Sequence, residues 1–446
     1  MDSDMESAHL LDSFLFPKIF QAFRMAIQPS KLIIAFLGLV VICLAGRIMD
    51  LNKTVVTTPL SPGLAGDTRS GASQPSGVTE LLVHITNPDA VERYIAASSK
   101  DREFRGVFST LWGFGTDRFH GALRCLFRFD LLGVAANIAD CFQAMVWAVR
   151  YHFMYSIIFF AIALAVMSIT GGAICRIAAM QFAVGERPRL TEAVRYSTKR
   201  FTSYFTAPLA PACIIAFIGL FIFVVGLMGN IPYAGELVMA IGMPLVLFAG
   251  VLIAVVLIGA LAGFNLMFPA VAYENSDSFD SISRSFSYVY AKPWRMGFYT
   301  ATATAYGAVS YIFVRFFAFL MLWISYRFLQ LGVLRDNAKL KAIWPEPSFP
   351  YFVGAASPTP GNWSAAAAAF LVYLCILAVI GLVVSFVISF YFSANTIIYS
   401  LMRNRVDNTE LSDIYTYSTA TDIESTTPEF EAIETESQPD LDAEQD

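Results

Sequence analysis

Residues 274–295 read ENSDSFDSISRSFSYVYAKPWR, a polar, amphipathic segment set between two long apolar runs. Phe279, Ile282, Phe286 and Val289 or Tyr290 recur every three to four residues and predict one apolar helix face, with Asp280, Arg284 and Ser287 turned away. Asp280 and Arg284 stand at i,i+4 with the acid first, a surface pair worth about 0.3 kcal/mol. Pro293 ends that helix, and Trp294 with Arg295 supplies an aromatic and a cationic anchor where the next apolar run begins. Because the flanking runs reach the ~20 apolar residues that a span requires, the segment predicts an interfacial helix between two membrane crossings.

Composition sets the same class. Of 446 residues 56% are hydrophobic and 15% charged, with a mean hydropathy of +0.58. The apolar excess lies in long blocks, which makes the bilayer the solvent. The net charge of −5 is set by the C-terminal end: the residues after Arg405 hold 13 acids and no Lys or Arg, leaving 22 acids against 30 bases elsewhere. A membrane body whose bases face anionic headgroups fits that balance. Residues 403–446 are expected to form an acidic, disordered cytoplasmic tail.

In chain order, residues 1–50 predict an interfacial helix, with Ile19, Phe23 and Ile27 on its apolar face, and a first span from Lys31 to Ile48. Residues 51–78, rich in Thr, Ser, Pro and Gly, read as a flexible linker. Residues 79–150 predict amphipathic pieces crowded with aromatics, an extracytoplasmic or interfacial region; Leu126, Phe129 and Leu132 are placed on one helix. Asp140 argues against a span there, since a mid-membrane carboxylate costs about 3 kcal/mol. Cys125 and Cys141 lie outside the spans and could pair only if that region is extracytoplasmic.

Residues 151–325 are expected to hold a four-span core with an internal repeat. Its second to fifth spans run over about 152–182, 208–227, 238–273 and 297–323. Residues 186–205, ERPRLTEAVRYSTKRFTSYF, echo the opening stretch: Glu186 matches Glu274 in role, and Arg195 falls 89 positions before Arg284. Gly259 and Gly263 form a GxxxG pair that lets another helix approach. Residues 326–365 read as an extracytoplasmic loop, and 366–402 hold the last span. The fold class expected is therefore all-α, a polytopic integral membrane protein of about six transmembrane helices. The bases from Lys18 and Lys31 through Arg195, Arg284 and Arg295 to Arg403 fall on one side of that order. Both termini are then expected to be cytoplasmic, in a cell membrane such as the bacterial inner membrane.

No constellation fixes a chemistry. HExxH, GxSxG, P-loop and CxxC patterns are missing, and the four His have no metal spacing. Asp117 and His120, three apart, are the nearest approach to an acid-base pair. Arg176 and Arg315 reach interfaces and can snorkel, which leaves Gly171-Gly172 as the candidate for a helix broken at mid-depth. No cofactor, metal or nucleic acid is expected; the partners are membrane lipids, with protein partners through the acidic tail or residues 79–150.

The run from Phe268 to Tyr299 resembles a feature of uncharacterised bacterial polytopic proteins related to the membrane domain of glycerophosphodiester phosphodiesterases. Pro269, Glu274, Arg284, Ser285 and Phe286 carry the likeness, with Ser281 where an Ala would stand; the echo keeps Glu186 and Arg195 but has Tyr196 and Ser197 in place of the Ser-aromatic pair. The resemblance implies a helical membrane fold and no catalytic domain. The function expected is that of a non-enzymatic structural or accessory subunit organising lipids or partner proteins, the alternative being a transporter or channel for a small or lipid-like solute.

Overall fold

The computed structural model describes residues 16–58, 78–97, 103–332, 337–349, 352 and 361–415. The expected disorder of the acidic tail beyond Tyr415 and of most of the 51–78 linker falls outside these residues. A 3-10 turn (Phe16–Phe20) leads into α1 (Gln21–Ala26) and α2 (Pro29–Met49). Three short strands, β1 (Val55–Thr58), β2 (Val78–Thr79) and β3 (Glu103–Arg105), form an antiparallel sheet in the order β2-β1-β3, with Val55 opposite Arg105 and Thr57 opposite Thr79. Between them lie α3 (Glu80–Thr86) and α4 (Val91–Ala97). Val55, Val56 and Thr57 are buried, so this part of the expected linker packs as structure.

Among the described residues, seven helices are long and apolar enough to cross a bilayer, one more than the sequence predicts. The six expected are α2, α7 (Phe153–Ala183), α10 (Ala210–Met228), α11 (Ala234–Glu274), α13 (Pro293–Gly332) and α15 (Trp363–Val406). The seventh is α6 (Leu131–Tyr151), which pairs with α5 (Val107–Phe127) in a hairpin turning at Phe129, whose φ is +56°. Leu126 and Leu132 therefore lie on different helices, not on one.

Asp140 is matched across that hairpin by Arg118 at 3.1 Å, which removes the lone carboxylate held to oppose an apolar helix here. Both hairpin ends sit at one end of α2: Asp50 accepts from Phe108 N (2.9 Å) and Ser109 N (2.8 Å), and His152 Nδ1 meets Thr54 Oγ1 at 3.3 Å. The hairpin returns to the level it left, so it adds no crossing to the alternation of α2, α7, α10, α11, α13 and α15. Cys125 and Cys141, on its two arms, are free thiols.

Asp50 caps α5 from a distant helix, and such a cap is worth about 1 kcal/mol. Asp50→Ala is expected to raise amide exchange across residues 107–112 while leaving α7 and α15 protected, as read by hydrogen exchange. Equal exchange in the variant and the native chain would show that the packing of Val107 against Ala144, Trp147 and Ala148 holds α5 without the cap.

The main core gathers at the other end, where α7, α11 and α15 finish. This is the tail end of the molecule, since α15 leads into the C-terminal segment. The interfacial helices expected from the sequence are α8 (Leu190–Lys199), followed by α9 (Phe201–Thr206), and α12 (Ser278–Ala291). Each folds back on the long helix before it. Ser197 Oγ on α8 donates to Ser168 O (2.9 Å) and Ile169 O (2.8 Å) of α7. On α12, Tyr290 donates its hydroxyl to Val255 O of α11 at 2.5 Å.

Glycines make these approaches possible. A Cβ at Gly259 would stand 2.9 Å from the Phe286 ring, and one at Gly263 3.4 Å from Ser285 Cβ. The helix that lies against the GxxxG pair is α12. Gly171 and Gly172 lie within an unbroken α7, where Gly171 faces Phe392 and Gly172 faces Ser197 and Tyr204. The expectation of a broken helix there is corrected: the missing Cβ atoms allow packing. Beyond α13, the 326–365 loop contains α14 (Asn337–Ile343), and Trp344 packs edge-on against Tyr326 at 5.5 Å.

Candidate functional site

The opening stretch builds an ion-pair cluster at the tail end. α11 stops because Asn275 takes a left-handed turn (φ +54°), and Asp277 then caps α12 by accepting from Asp280 N at 3.0 Å. This turn brings Arg284 back over Glu274. Arg284 Nε lies 2.7 Å from Glu274 Oε2 and 3.0 Å from Asp280 Oδ2. On its other side Glu274 meets Arg403 Nε of α15 at 3.2 Å and accepts from the Tyr399 hydroxyl at 2.6 Å. One carboxylate therefore joins α11, α12 and α15, and Arg403 goes on to Asp413 at 2.8 Å.

The last carbonyls of α11 are satisfied by two side chains and one backbone N–H from afar. Tyr196 donates to Val271 O (2.9 Å), Arg176 to Ala272 O (2.7 Å), and Tyr415 N to Tyr273 O (3.0 Å). Arg176 also donates to Tyr415 O at 2.8 Å and lies over the Tyr196 ring at 4.5 Å. Its expected snorkelling is thus replaced by buried carbonyl partners. Tyr288 donates to Asp407 Oδ2 at 2.5 Å, and burial with this contact pushes its phenol up from the ordinary tyrosine value.

The echo is built differently. Glu186 and Arg195 are both exposed, and the structure does not bring them together. Arg200 ties the echo to the opening stretch instead, donating to Asn275 Oδ1 at 2.6 Å. Pro293, expected to end the amphipathic helix, stands two residues beyond its last residue Ala291 and opens α13, with Arg295 exposed and Trp294 91% exposed. Phe279, expected on the apolar face, is exposed; the buried face of α12 runs through Ser281, Ile282, Ser285, Tyr288 and Val289.

Lys31 is the residue whose setting the sequence hides. Expected at the start of the first span, it is 0% exposed and meets side chains of α7 and α15. Its ammonium meets Gln181 Oε1 at 3.1 Å and Ser393 Oγ at 3.5 Å. No carboxylate pairs with it among the described residues.

A groove of about 360 Å³ lies between the α5–α6 hairpin and α13 with α15, within the size range of small-ligand sites. Its lining is mostly apolar, with Asn265, Tyr391 and Asn395 at one end and Tyr311 at the other. Asp117 and His120 do not form the pair their spacing suggests: His120 Nδ1 donates to Thr116 O (2.9 Å), leaving Nε2 toward the Tyr311 hydroxyl (3.1 Å) and Arg315. Arg315 donates in addition to Phe349 O at 3.2 Å, which ties α13 to the loop beyond it. Compared with protein families, curated proteins and solved structures, the chain matches none.

Proposed function

We propose that the protein is a non-enzymatic accessory subunit of a cell membrane that gathers anionic lipid around its tail end. The observation that carries this reading is the exposed basic rim there: Arg187, Arg189 and Arg195 from the echo, and Arg295 beside the protruding Trp294. A base near an anionic surface contributes about 1 kcal/mol, and Trp favours the headgroup level. The clamped α8 carries Arg195, with Arg187 and Arg189 in the segment just before it, and Arg295 stands in the first turn of α13. On this reading the tail end is cytoplasmic, as the excess of bases favours.

The test is the composition of lipid retained in nanodiscs formed from a mixture of phosphatidylglycerol and phosphatidylcholine. The native chain is expected to retain phosphatidylglycerol above its share in the mixture, and a variant with Gln at positions 187, 189, 195 and 295 to lose that excess. Retention at the bulk ratio by the native chain would overturn the proposal.

A carrier for a small or lipid-like solute is a second reading, favoured by the buried, carboxylate-free Lys31, because charges inside membrane bundles commonly serve transport. Solute movement in liposomes that Lys31→Met abolishes would establish it over the first.

A further inference from the structure

We propose that the groove beneath the α5–α6 hairpin holds one acyl chain of a glycerolipid, with the lipid's ester region at Asn265, Tyr391 and Asn395. The proposal rests on the membrane placement used above, and not on enrichment of anionic lipid. The walls are hydrocarbon: Leu123, Leu126 and Ile138 from the hairpin face Ala308, Phe386 and Phe390 from the spans. Along α13 the lining runs from Thr300 to Tyr311, about 16 Å at the rise of an α-helix, a slot suited to a single chain. Phe119 and Ile138 line the groove and are also exposed, so it opens sideways among apolar side chains.

The polar end selects the ligand's chemistry. Tyr391 donates its hydroxyl to Asn265 Oδ1 at 2.5 Å, which fixes that amide with its nitrogen as the remaining donor. Asn395 Nδ2 donates to Tyr391 O at 2.9 Å. A neutral ester carbonyl is an acceptor matched to the Asn265 amide N–H. No charged side chain lines the groove, so a free carboxylate would be buried there without a cation. At the far end the Tyr311 hydroxyl is engaged by His120 and Arg315 and closes the slot.

Depth agrees with this orientation. Ser393, two residues before Asn395, meets Lys31 where the apolar run of α2 begins. The polar end therefore sits at the level where a span enters hydrocarbon, and the slot extends from it toward the bilayer interior.

Photolabelling tests the assignment. The full chain is placed in phosphatidylcholine vesicles carrying phosphatidylcholine with a diazirine on one acyl chain, or in a parallel arm a diazirine fatty acid, and labelled peptides are mapped. With the phosphatidylcholine probe, residues 119–138 and 386–395 are expected to label above the lipid-exposed α10. Ala308→Phe, which fills the slot, is expected to cut groove labelling about tenfold while α10 labels as before. Should that variant fail to fold, Asn265→Leu keeps the apolar wall, removes the ester donor, and is expected to lower groove labelling relative to α10. Groove labelling no greater than that of α10, labelling unaltered by the variant tested, or labelling by the fatty acid alone would each overturn the proposal. Since phosphatidylcholine is zwitterionic, the outcome is independent of any anionic-lipid preference.

Discussion

Glu274→Ala is expected to destabilise the bundle by about 3 kcal/mol, the scale for removing one partner from a buried ion pair. The carboxylate is largely enclosed, as is Arg403, and the variant leaves Arg403, Arg284 and the Tyr399 hydroxyl around an empty position. Asp280 and Asp413 still meet the two guanidinium groups, which keeps the loss at the lower end of that range. Denaturant unfolding in detergent reads the effect. Glu186→Gln provides the contrast: exposed and outside the cluster, it is expected to change stability by less than about 0.5 kcal/mol. Equal losses in the two variants would mean that the cluster does not tie the helices together.

Lys31→Met is expected to act in the opposite direction, stabilising the fold by about 1 kcal/mol or more. Methionine has a similar reach without an ammonium to desolvate, and the two neutral contacts of Lys31 do not replace a counter-charge. A clear loss of stability in the same unfolding experiment would show that the bonds to Gln181 and Ser393 outweigh the cost of burying the charge. A rise identifies Lys31 as a residue held at the expense of stability, the usual mark of a functional requirement.

The parts of this fold legible in the sequence are those written in local spacing. Pro293 and Trp294 mark the start of α13, and the apolar runs mark the six expected crossings. The Glu274–Arg284 contact spans a tight turn, which no i,i+4 rule reveals, and Arg403 reaches it from a helix 129 residues away. Lys31 follows Pro29 and opens an apolar run, so its local context matches that of an anchor; its enclosure comes from α7 and α15. Asp140 reads as a barrier to an apolar helix because Arg118, its partner, becomes a neighbour only after the hairpin turns at Phe129. Val55–Thr58 is four β-branched residues inside a Thr- and Pro-rich region, too short to show strand periodicity. The groove has no motif, because its lining comes from five separate helices whose apolar residues look alike in sequence.

The placement of the basic rim against lipid is tested most directly by spin labels at positions 195 and 295, in a chain whose native cysteines are replaced by serine, reconstituted in phosphatidylglycerol-containing vesicles. Collision rates with oxygen and with a water-soluble nickel chelate locate each label along the membrane normal. Both labels are expected at headgroup depth, with partial access to each reagent; full access to the nickel chelate at both positions would place the rim in water and contradict the account.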